Sequence, residues 1–144
     1  MLINAWFLIN LQQYVGIKLS KNSGFSITTA NRYSLALFEL AEENNLLSQI
    51  EDQSLSMLNL INQSNDFYNL IKDPTINQED LLKVINIIVE KNKFDILFKN
   101  FLNFLVQKRR FFFIESILKS FIETCSIKRG ELKAELKSAK NLSS

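Results

Sequence analysis

Few side chains in this sequence could do chemistry. Cys125 is the single cysteine of the 144 residues, and there is no histidine. That removes Ser-His-Asp and Cys-His nucleophile arrangements and every zinc site that uses histidine. A lone cysteine also excludes an internal disulfide and fits a reducing compartment. Cys125 falls on the apolar face of a helical run, where it reads as a small core residue. Paired carboxylates occur at Glu42-Glu43 and Glu79-Asp80. Both pairs sit at helix ends, where they face a helix dipole or water, and no spacing sets two of them across a pocket. The three glycines lie far apart and none opens a phosphate-binding loop. Lys108-Arg109-Arg110 running into Phe111-Phe112-Phe113 puts cations beside aromatic rings, a combination used on nucleic acids and membranes. Three charges at a helix junction read here as a solvated corner. The expectation is a protein that is not an enzyme, with no cofactor and no metal.

The elements that carry these residues are helical. Three Gly and one Pro in the whole chain favour long regular elements over a turn-rich β fold. A chain of this length buries roughly 68–70% of its unfolded surface, enough for an unaided core, and suits one domain or one and a fraction. Seventeen Lys+Arg against fifteen Asp+Glu leave a net charge of +2, too balanced for a dedicated nucleic-acid binder.

The first clear helical period is Ala30–Glu43, with Ala30, Tyr33, Leu37, Leu40 and Ala41 on one face and Ser26, Thr28 and Thr29 ahead of it as possible caps. Asn44-Asn45 break it. A second helix on Leu46, Leu47, Ile50, Met57, Leu58 and Ile61 runs to about Gln63. A short third one, capped by Ser64 or Asn65, holds Phe67, Leu70 and Ile71 until Asp73-Pro74 stops it. Asn77 with Asp80 three residues on resembles a capping box for the fourth, built on Leu81, Leu82, Ile85, Ile88 and Val89. After Lys91-Asn92-Lys93 comes Phe94–Lys108, and after Arg109-Arg110 a sixth helix on Phe113, Ile114, Ile117, Leu118, Phe121 and Ile122, extending as far as Cys125.

The two ends depart from this pattern. Met1–Lys21 mixes an apolar run with Asn4, Asn10, Gln12 and Gln13. It has no signal-peptide charge, no arginine and too short an apolar stretch to span a bilayer. It reads as an over-extended gene start, or else as a floppy or membrane-skimming tail. In Gly130–Ser138, Leu132, Ala134 and Leu136 alternate with Glu131, Lys133, Glu135 and Lys137, a strand pattern. The expected organisation is a non-homologous extension over 1–25, a helical bundle over 26–128 and, over 129–144, the start of a second domain cut short.

Several stretches together resemble the delta subunit of bacterial F-type ATP synthase, called OSCP in mitochondria. Asn31-Arg32-Tyr33-Ser34-Leu35-Ala36-Leu37-Phe38-Glu39-Leu40-Ala41 is similar to the family's opening helix, with Ser34 where alanine is usual. Leu70-Ile71-Lys72-Asp73-Pro74-Thr75-Ile76 resembles its loop after the third helix. Asn100-Phe101-Leu102 with Phe104-Leu105, leading to Arg110-Phe111, resembles its fifth-helix stretch, and Gly130–Ala139 its first strand after the bundle. The resemblance implies an all-α six-helix bundle as N-terminal domain, followed by the first strand of an incomplete α/β C-terminal domain. It implies a non-catalytic stator part that binds the N-terminal helix of an alpha subunit, with peripheral-stalk b subunits held by the C-terminal domain. It also implies a place at the bacterial inner membrane, peripheral and on the cytoplasmic side, in support of proton-driven ATP synthesis. In the family the alpha-subunit helix lies between the first and fifth helices. On the fifth helix Phe98, Phe101, Leu102 and Leu105 form a core stripe, with Leu97 and Phe104 together on its flank. On the first, Ala36 falls beside Tyr33 and Leu40. The groove expected from this is Tyr33, Ala36, Leu40, Leu97 and Phe104. The rival readings are a helical RNA-binding antitermination protein of the NusB type, which the charge balance disfavours, and a membrane-active protein using Trp6 and Phe7.

Overall fold

The computed structural model describes residues 29–142, so the Met1–Lys21 segment and the caps expected at Ser26 and Thr28 lie outside the described residues. Among the described residues there are six α-helices: α1 Thr29–Glu43, α2 Leu47–Gln63, α3 Asn65–Lys72, α4 Gln78–Lys91, α5 Ile96–Gln107 and α6 Ile114–Leu142, the last preceded by a 3-10 turn at Phe111–Phe113. The all-α bundle expected from the apolar spacing is what forms.

The starts of three helices have a side-chain cause. Ser64 Oγ accepts the Phe67 N–H at 3.2 Å, Asn77 Oδ1 the Glu79 N–H at 3.1 Å and Asp95 Oδ1 the Leu97 N–H at 2.9 Å. Each satisfies one of the donors a helix start leaves without an internal partner. The ends of α1, α4 and α5 share one device. Asn45, Lys93 and Arg109 take the left-handed conformation, with φ of 56°, 53° and 56°. Their N–H groups and those of Leu46, Phe94 and Arg110 then turn back onto the last carbonyls, Leu46 N–H reaching Ala41 O at 2.8 Å and Arg110 N–H reaching Leu105 O at 2.9 Å. A glycine usually takes this place; here none does. At the end of α3, Asp73 Oδ1 accepts both the N–H and the hydroxyl of Thr75, at 2.8 and 2.6 Å. Those two bonds hold its carboxyl below the ordinary carboxylate range.

Packing follows from these ends. α6 lies against α1 and α2, α5 lies against α4, and the 3-10 turn joins α3, α5 and α6. Asn31 meets Ser120 and Glu42 meets Lys128, so the first and last helices run parallel. Phe98, Phe101 and Phe121 are fully buried at the centre. Burying a side chain of this size contributes about 1.5–3 kcal/mol, whereas an exposed pair such as Lys119–Glu115 contributes about 0–1 kcal/mol. The apolar core therefore holds the bundle.

The strand expected over Gly130–Ser138 is not formed: α6 continues through it to Leu142. The alternation that suggested a strand is written in Glu, Leu, Lys and Ala, all good helix formers, and Leu132 and Leu136 also satisfy an i, i+4 spacing. A single strand has no ladder to join, while a helix already nucleated over residues 114–129 extends at one hydrogen bond per residue. The sixth helix thus reaches well beyond Cys125.

Candidate functional site

The seam between α1 and α5 carries the residues expected to receive a partner helix. The Asp95 cap sets the first turn of α5 and with it Leu97. Side chains of α2 hold that cap in place, because Gln53 Oε1 accepts the Asp95 N–H at 2.9 Å. At the other end, Gln78 Nε2 of α4 donates to Val106 O at 3.1 Å and to Gln107 O at 3.3 Å, closing two of the last carbonyls. Between these anchors the ring of Phe104 meets the ring of Tyr33 with centroids 6.1 Å apart and planes tilted by 58°. Lys108 Nζ stands 5.8 Å from the Phe104 centroid, a cation–π distance.

Of the five expected residues, Tyr33 and Phe104 are in ring contact. Ala36, Leu40 and Leu97 belong with Phe104 to one continuous buried core. Ala36, Leu40, Leu97 and Phe104 are 1%, 6%, 7% and 3% exposed, while Tyr33 is only half-buried. The reason is the central place of α5. Its core stripe is joined in burial by Leu97, Phe104, Val106 and even Asn100, so the helix is covered on most sides. The free rim of the seam is Tyr33.

Sequence reasoning passed over two polar contacts. Ser34 is buried, and its Oγ lies 3.0 Å from Ser120 Oγ and donates to Asn31 O at 3.0 Å. Arg129 donates to both carboxylate oxygens of Glu51 across α6 and α2. The signal for the second was a charged residue on an apolar stripe, Glu51 sharing a face with Ser54 and Leu58. Cys125 is buried one turn from this pair. Burial, reinforced by the charge of Glu51 and opposed by Arg129, pushes its thiol up to about 11. It is a thiol, not a thiolate, at neutral pH. Among the described residues no three His, Cys, Asp or Glu side chains converge on one point, and no helix is long and apolar enough to cross a membrane. The seam offers apolar contact and aromatic rings.

Residues 29–144 match the family model for the ATP synthase delta (OSCP) subunit. The chain belongs to the ATP synthase delta (OSCP) subunit family. The match begins at Thr29, the first residue of α1. The delta subunit of Pelagibacter ubique strain HTCC1062 is 60% identical over 124 residues, covering 86% of this chain and 67% of that protein. The delta subunit of Rhodospirillum rubrum is 33% identical over 115 residues, covering 80% of this chain and 62% of that protein. That of Brucella ovis is 32% identical over 126 residues, covering 88% and 68%. The chain thus spans between three fifths and about two thirds of the length of these delta-family relatives.

Proposed function

We propose that this delta-family chain is a non-catalytic part of the peripheral stalk of an F-type ATP synthase, and that its bundle grips the N-terminal helix of an alpha subunit along the α1–α5 seam. In this reading the chain joins the catalytic head to the stalk and keeps it from turning with the rotor, in support of proton-driven ATP synthesis. It is peripheral to the membrane on its cytoplasmic side, and the stalk b subunits are held by the family's C-terminal domain. Tyr33, Ala36, Leu40, Leu97 and Phe104 form the floor and rim of the seam, with Tyr33 as the residue a partner meets first.

The observation that carries the reading, beside family membership, is the Tyr33–Phe104 ring contact joining α1 to α5 while Tyr33 keeps free surface. A helix laid in an apolar seam needs such an aromatic rim over a buried floor. Titration calorimetry of the full chain with a synthetic alpha-subunit N-terminal peptide tests it. Tyr33→Asp is expected to weaken binding by about 1–3 kcal/mol and to lower the melting temperature less than a change at the buried Phe104, since the Tyr33 side chain is half in water. Phe104→Leu should weaken binding and also lower the melting temperature. Equal binding by wild type and Tyr33→Asp would place the partner elsewhere on the bundle.

A further inference from the structure

Where α3 and α5 end, a cleft of about 410 Å³ opens between the α3–α4 loop and the turn into the 3-10 helix. Its floor is apolar and buried, made by Ile71, Leu81, Val106 and Phe111. Its mouth is cationic. Lys72 and Arg109 form part of the wall, and Phe112, 43% exposed, stands beside them as a lip. Lys72 Nζ is fixed there by donating to the Phe112 carbonyl at 3.0 Å, which leaves it two further protons to give. The Arg109 guanidinium makes no ion pair among the described residues. The single carboxylate of the wall, Asp73, accepts two hydrogen bonds from Thr75 that keep it ionised, so the two cations outnumber it by one charge. Glu79 and Asp80, in the first turn of α4, are not part of the wall.

An apolar floor beneath two cations has a definite complement, an apolar side chain with a carboxylate next to it. We propose that this cleft docks an acidic, apolar segment of a partner polypeptide, whose apolar side chain lies over Phe111 and whose carboxylate pairs with Arg109 and Lys72. A polypeptide is favoured over a lipid surface or a nucleic acid by the shape and the charge of the corner. The space takes one or two side chains, and the neighbouring Glu79 and Asp80 would repel a broad anionic surface. The cleft shares no residue with the α1–α5 seam and stands independently of the function proposed for it.

The test uses the full chain, isotopically labelled, titrated with acetyl-Asp-Phe-Glu-Leu-amide and with the same peptide carrying Asn and Gln in place of Asp and Glu. Saturable amide shifts confined to residues 71–78 and 106–113 are expected, with the acidic peptide bound about ten-fold tighter or more than the neutral one. Arg109→Asn and Lys72→Gln should each weaken the acidic peptide several-fold. Asparagine tolerates the left-handed backbone at 109, so melting should stay in place; should it drop, Lys72→Gln alone carries the comparison. Equal binding of the two peptides overturns the proposal, as does acidic binding indifferent to both variants. Arg109-dependent binding to phosphatidylglycerol vesicles without any response to the acidic peptide overturns it too, in favour of a membrane contact.

Discussion

Arg129 and Glu51 form a forked ion pair, both guanidinium nitrogens donating to the two carboxylate oxygens across α6 and α2, with Nη2 to Oε1 at 2.9 Å. Glu51 is nearly buried and Arg129 is half in water. The hydrogen bond and the charge of Glu51 push the guanidinium further up from its already high value. Removing the cation leaves a carboxylate without a partner in a mostly apolar wall, which costs more than an exposed pair returns. Arg129→Ala is therefore expected to lower the melting temperature more than Lys119→Ala or Lys128→Ala, whose pairs are exposed. Arg129→Lys should recover only part of the loss, because an ammonium cannot match the fork. Thermal melts of the four variants in one buffer decide the order.

The left-handed residues offer a gain in stability. Lys93 is exposed and adopts φ 53° at the end of α4. A side chain in that conformation costs about 1–2 kcal/mol, part of which glycine recovers against its own chain entropy. Lys93→Gly should stabilise the bundle by about 0.5–1 kcal/mol in urea unfolding. Asn45→Gly should yield less, since asparagine already tolerates this backbone.

Gly130 sits inside α6, and a methyl group added there would meet no atom within 4 Å beyond its chain neighbours and the helix's own backbone. In a helix interior Gly→Ala contributes about 0.5–1 kcal/mol. Gly130→Ala should raise both the helical circular-dichroism signal and the protection of amides 131–142 from hydrogen exchange. Gly130→Pro should remove that protection and leave the exchange of α1 to α5 as it was. A rise in strand signal from the alanine variant would contradict the continuous helix.

Cys125 gives a pH dependence with a definite sign. Its folded thiol is raised from an ordinary 9.0 to about 11 by burial, with Glu51 adding to the rise and Arg129 opposing it. The unfolded chain ionises first, so the stability held by the neutral buried thiol is complete below about pH 9 and is lost as pH climbs towards 11. Cys125→Ala should flatten this part of the alkaline stability profile. In the native protein, labelling by a thiol reagent at pH 8 should proceed only as fast as the bundle opens.

What could be read in the sequence was local. Ser64, Asn77 and the Asp73-Pro74 stop act within a few residues of themselves, and the breaks at Asn44-Asn45 and Lys91–Lys93 mark turns that do form. What escaped was decided at a distance. Whether Leu97 and Phe104 face a groove or a neighbour depends on where α1 and α4 pack, which no period in α5 records. Glu51 finds Arg129 seventy-eight residues later, and only the fold brings them together. Over Gly130–Ser138 two periods fitted the same residues, and the helix already running through Arg129 decided between them.

Because α1 rests beside α6 through contacts 86 to 89 residues apart in the chain, the order of synthesis matters. Helices α2 to α5 are joined by short connections and can associate as they leave the ribosome. Leu37, Phe38 and Ala41 must wait for Phe121 and its neighbours, made only after α2 to α5. Long-range closure of this kind is slow, and it leaves an apolar face exposed in the meantime. Until α6 is made, the apolar face of α1 consequently lacks the neighbour that covers it.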